Sequence, residues 1–119
     1  MSNGEEIMHD AILVMISVGS EQQAITIAEE LVQQELASAV NILPTMRTIY
    51  RFNGKVFDDE ENYLIIKTTD DLFEKVSIVI HQMHTYEIPE IMGINIRHCP
   101  KDFLKWVNQN VHPEEDQGE

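Results

Sequence analysis

The sequence predicts an α+β domain of ferredoxin-like β-α-β-β-α-β order, with one further helix towards the C-terminus. Three observations predict it. Apolar, β-branched runs alternate with segments whose apolar residues recur every three or four positions. The dipeptide Asn53-Gly54 stands between two long extended segments, a strong short-range sign of a hairpin. The resulting order is that of the split βαβ unit.

Ala11 to Val18 is apolar and β-branched and reads as a buried strand. Gly19-Ser20 ends it. Ser20 and Gln23 make a capping box, and Glu21 suits the positive end of a helix. Ala24, Ile27, Ala28, Leu31 and Val32 keep helical spacing, so this helix is expected to run to about Leu36. Ala39 to Phe52 and Val56 to Thr68 are the two extended arms. Thr68 to Asp71 offers caps for a second helix, whose core face is Leu72, Val76, Val79, Ile80 and Met83. Ile91 to Ile96 reads as a fourth strand. Pro100 suits the first turn of a last helix carrying Phe103, Leu104, Trp106 and Val107, with Trp106 as packing anchor.

A single sheet under two helices leaves its other face uncovered. Hairpin arms of about 13 residues also exceed the usual ~5–6 of a strand. A long bare edge invites aggregation unless another chain pairs with it. Both features predict an oligomer.

A chain of 119 residues is one domain by length, placed at 10–111, with 1–9 and 112–119 expected as flexible tails. No apolar run reaches the ~18 residues of a membrane span. Acids near the N-terminus replace the basic start of a signal peptide, and the single Cys99 permits no internal disulfide, so a cytoplasmic protein is expected. The net charge of −13, with Glu114, Glu115, Asp116 and Glu119 at the end, argues against nucleic acid and anionic membranes as partners.

The run His84-Thr85-Tyr86-Glu87-Ile88-Pro89-Glu90-Ile91 packs an imidazole, a phenol and two carboxylates into one connection that Pro89 stiffens. These side chains suit a polar pocket for an ion or small molecule, or a hydrogen-bonded structural link. Lys67 ends an apolar strand and needs a partner if it turns inward; Glu61 and Glu90 are the candidates. His81 with His84, and His98 with Cys99, are possible donor pairs, although neither spacing matches a structural zinc signature. No phosphate loop, nucleophile motif or Ser-His-Asp pattern is present, and a non-enzymatic role is expected.

Read with Ala37-Ser38-Ala39-Val40-Asn41-Ile42, Gly54-Lys55, Ile66-Lys67-Thr68 and Trp106, the His84–Ile91 run resembles the CutA family of divalent-ion-tolerance proteins. The likeness covers roughly 10–111. It implies a homotrimer with sheets packed inward and hairpins shared between subunits, and a role in tolerance of divalent ions, copper above all. The cleft candidates are Glu61, Lys67, Tyr86, Glu87, Glu90 and Trp106, of which Glu61 and Lys67 match the family pattern. The family's copper donors are a cysteine in the first strand and paired histidines before a Pro-Tyr. Ile16 stands at the first place, Met83-His84 at the second, and Thr85 replaces the proline. A further family cysteine falls at Ala39. A thiolate copper site is therefore not expected; His84 remains as a metal ligand, for a weakly held Cu or Zn ion. The same assembly resembles PII signalling proteins, which makes a small-molecule sensor the rival reading.

Overall fold

The computed structural model of the chain describes residues 7–111. The expected tails therefore lie outside the described residues, apart from 7–9, as does the acidic run 114–119. The elements are β1 (Ala11–Val18), α1 (Glu21–Gln33), β2 (Ala39–Phe52), β3 (Lys55–Thr69), α2 (Phe73–Met83), β4 (Ile91–Asn95) and α3 (Lys101–Gln109), with a 3₁₀ turn at Asp70–Leu72 before α2. The sheet order is β2-β3-β1-β4, and every neighbouring pair is antiparallel. This is the ferredoxin-like order that the sequence predicts.

The two faces of the sheet differ. Ile12, Val14 and Ile16 of β1 pair with Thr68, Ile66 and Leu64 of β3 and point under the helices. There they meet Ala24, Ile27 and Leu31 of α1 and Val76 and Ile80 of α2, all fully buried. A strand alternates its side chains, so Leu13, Met15, Ile65 and Lys67 fall on the opposite face. Helix α3 packs against β1 and β3, while Met92 and Ile94 of β4 stand 42% and 48% exposed on that face.

Several boundaries differ from expectation. Helix α1 stops at Gln33 instead of about Leu36, because Glu35 turns left-handed at φ 61° and the Leu36 and Ala37 amides both bond back to the Leu31 carbonyl. Ser20 caps α1 by accepting from the Gln23 amide, while the Gln23 side chain returns to the Gly19 amide. Thr68 to Asp71 does not cap α2 with a side chain; the 3₁₀ turn intervenes. In α3, Val107 is the fully buried residue, whereas Trp106 is 42% exposed and leans on Phe103 with ring centroids 6.0 Å apart. Trp106 is thus not the packing anchor that its size suggests.

The hairpin turns at Asn53-Gly54, both left-handed at φ 53° and 79°, as a type I′ turn requires. It gives the molecule its long dimension of 57 Å. One irregularity shapes it. Leu43 lies opposite Tyr63, but Met46 lies opposite Glu61, so Pro44-Thr45 adds one residue to β2. Thr45 takes φ 49° there. This bulge swaps the parity of β2, placing Met46, Thr48, Tyr50 and Phe52 on the face of Glu61.

Candidate functional site

The end of β1, the bulged half of the hairpin and the connection before β4 enclose a cavity of about 350 Å³. Ser17, Thr48, Tyr50 and Phe52 come from the strands. Glu61 comes from β3, and Tyr86, Glu87, Ile88 and Glu90 from the connection. The sequence explains the gathering. Helix α2 ends at Met83, and His84 turns to extended backbone at ψ 144°. The chain then crosses the sheet end to Pro89 before β4 begins.

His84 holds that crossing in place. It is 9% exposed, its Nε2 lies 2.8 Å from the Ser17 carbonyl, and its Nδ1 accepts the Tyr86 amide N–H at 3.0 Å. These partners fix the Nε2–H tautomer, with Nε2–H donating to Ser17. Neither ring nitrogen keeps a lone pair for a metal. The expectation of His84 as a metal ligand is corrected on this ground. The family's copper donor set does not assemble either. Ile16 is wholly buried under the helices, and Ala39 pairs with Lys67 at the far end of the sheet. His81 does not join His84; its Nδ1 lies 2.9 Å from the Ser77 carbonyl on the exposed side of α2.

Tyr86 and Glu61 form the centre of the cavity. The Tyr86 hydroxyl donates to Glu61 Oε2 at 2.5 Å. Glu61 is only 3% exposed, and its Oε1 has no hydrogen-bond partner. Burial, then the bond to Glu61, pushes the Tyr86 phenol well above its ordinary range. Beside them the Tyr50 hydroxyl donates to Asp59 at 2.6 Å. That bond is the main reason the Tyr50 phenol rises to about 12. The Tyr50 ring stacks on Phe57, with centroids 5.4 Å apart. The Tyr63 phenol is also raised, by burial and then by the charge of Glu90.

The sequence-predicted cleft residues thus divide. Glu61, Tyr86, Glu87 and Glu90 share the cavity, whereas Lys67 and Trp106 do not line it. Lys67 lies six residues along β3 from Glu61, about 20 Å at the rise of a strand. Among the described residues it forms no ion pair with Glu61 or Glu90, so the expected pairing within one chain is corrected. Tyr50, Phe52 and Thr48 were not legible as cavity residues, because the bulge decides their face; Pro44 is the signal that marks it. A second cluster also lay beyond reach. His9, Asp70 and Asp71 bring possible ligand atoms within 4.8 Å of one another, because Asp70 N–H bonds the Asp10 carbonyl across a gap of 60 positions. These groups are partly or fully exposed, and nothing else in the structure marks them as a site.

Residues 12–110 match the family model described as CutA1 divalent ion tolerance protein. The chain belongs to this family. It is 40% identical over 99 residues to the divalent-cation tolerance protein CutA of Thermus thermophilus, covering 83% of this chain and 96% of that one. It is 32% identical to the chloroplastic CutA of Arabidopsis thaliana, over 85% of this chain and 56% of the plant protein. Solved family structures superpose closely. CutA1 of Oryza sativa does so with a TM-score of 0.85 at 28% identity, over 88% of this chain and 96% of its own. The Thermus thermophilus protein gives 0.83 at 38% identity, over 86% and 99%. Family members are described both as chloroplastic and, in Archaeoglobus fulgidus, as periplasmic. Among the described residues of this chain no helix is long and apolar enough to cross a membrane.

Proposed function

We propose that this chain acts in the cytosol as a non-enzymatic homotrimer serving tolerance of divalent ions, copper among them, with the acidic cavity beside Tyr86 as its ligand site. The observation that carries this reading is the cavity's polar set. Three carboxylates, from Glu61, Glu87 and Glu90, converge on one space, and a cation is the ligand they favour. The non-enzymatic part rests on His84. The one imidazole near the Ser17 end of the cavity spends both nitrogens on main-chain groups, so no imidazole base is poised against a serine or threonine hydroxyl. The trimer rests on the family likeness and on the exposed apolar side chains Met92 and Ile94 of β4.

Without thiolate or free imidazole, the affinity for Cu(II) or Zn(II) is expected to be micromolar or weaker, because oxygen donors hold such ions loosely. Calorimetry with either ion on wild type and on Glu87→Gln/Glu90→Gln tests this. Nanomolar binding, or binding indifferent to both substitutions, would place the ions elsewhere. Light scattering should give three times the 13.7 kDa chain mass, and a stable monomer would remove the oligomeric part of the proposal.

The rival reading, a small-molecule sensor, gains from the cavity's size and aromatic walls. A space of about 350 Å³ is far larger than one ion and falls in the range of small-molecule pockets.

A further inference from the structure

We infer that the cavity beside Tyr86 binds an organic cation, an ammonium or guanidinium group on a short apolar stem, in preference to a bare metal ion. The inference rests on the reading of that cavity as the ligand site and goes further by naming the chemical class. Four observations carry it. Glu61 is 97% removed from solvent by the exposure above, yet one oxygen has no partner and the other receives a single phenolic proton. A buried carboxylate with so little compensation is costly, and a positive charge held nearby offsets that cost. Glu87 and Glu90 add two more negative charges to the same space.

The walls are aromatic and aliphatic: Tyr50, Phe52, Tyr86 and Ile88. Ring faces attract ammonium and guanidinium groups, and apolar walls suit a hydrocarbon stem. A hard metal ion would draw on the carboxylates alone and gain nothing from the rings or from Ile88. A soft ion would demand nitrogen or sulfur, and His84 has no nitrogen to give.

The cation can reach the cavity as a free amine or as a lysine or arginine of a second copy of this chain. The experiment separates the two. n-Butylammonium chloride is titrated into the assembled protein by calorimetry, with n-butanol as a neutral probe of the same stem. Saturable binding of the ammonium, at least ten-fold tighter than the alcohol and weakened about ten-fold by Glu61→Gln, supports a free organic cation. No binding in wild type, joined with a loss of subunit assembly in Glu61→Gln, supports a cation supplied by the neighbouring copy. Glu90→Gln serves if Glu61→Gln does not fold. Tyr50→Leu should weaken the ammonium several-fold more than Tyr50→Phe, which keeps the ring. Equal binding of alcohol and ammonium, or the absence of both binding and an effect on assembly, overturns the inference. The metal titration above is independent: ammonium binding without Cu(II) or Zn(II) binding would sink the divalent-ion reading alone.

Discussion

Removing the Tyr86 hydroxyl tests whether the Tyr86–Glu61 contact holds the cavity together. In Tyr86→Phe the ring still packs, but Glu61 loses the proton donor 2.5 Å from Oε2. Since Oε1 has no partner either, a carboxylate only 3% exposed is left with none on either oxygen. A hydrogen bond to a charged group contributes about 1.5–3 kcal/mol, so a loss of about 2–3 kcal/mol per chain is expected. At ~2.1 cal/mol/K of unfolding entropy per residue, a chain of this length loses about 10 °C of melting temperature. Glu61→Gln added to Tyr86→Phe should recover part of the loss, because an amide is cheaper to bury than a charge. The two substitutions should be non-additive by about 1 kcal/mol or more.

Alkaline titration supplies a second readout of the same contact. The folded phenol holds its proton above the ~10 of an unfolded tyrosine, so its stabilisation is complete below pH ~10 and declines as pH climbs through the folded value. Tyr50, raised to about 12, behaves in the same way. Wild type should therefore lose stability steadily above pH ~10, and Tyr86→Phe should lose it less steeply. A melting temperature within about 2 °C of wild type, or strict additivity with Glu61→Gln, would refute the reasoning.

Two further predictions follow from the same structure. His84→Ala removes a ring bonded to the Ser17 carbonyl and leaves the Tyr86 amide without its acceptor, so chemical denaturation should show a loss of about 2–4 kcal/mol. Its Cu(II) and Zn(II) affinities, measured below its melting point, should stay within about three-fold of wild type; their loss from a folded variant would restore His84 as a ligand. Gly54→Val forces a β-branched side chain to φ 79° and should cost about 1–2 kcal/mol in urea unfolding. A change below about 0.5 kcal/mol would argue against the left-handed pair at the hairpin tip.

Much of the fold was legible because its determinants are local. The β-branched run Ala11–Val18, the Ser20 cap, the apolar spacing of α1 and α2, and Asn53-Gly54 each act on a few neighbouring residues. Which side of β1 goes under the helices was not legible, because Ala11–Val18 is apolar on both faces. The likeness to CutA proteins was carried by fragments spread along the chain, and family membership agrees with it. The cluster Tyr86, Glu87 and Glu90 was legible too, because one stiff connection holds all three.

What the tertiary structure decided depends on pairing between distant segments. The bulge at Pro44-Thr45 sets which side of β2 meets Glu61, and it thereby brings Tyr50 and Phe52 to the cavity. The Ser17 carbonyl, 67 positions from His84, determines that this imidazole is a structural brace with no lone pair to offer. Local sequence sets the conformation of each segment. The side chains that share a site are set by how strands align across the sheet, where a one-residue shift exchanges the two faces.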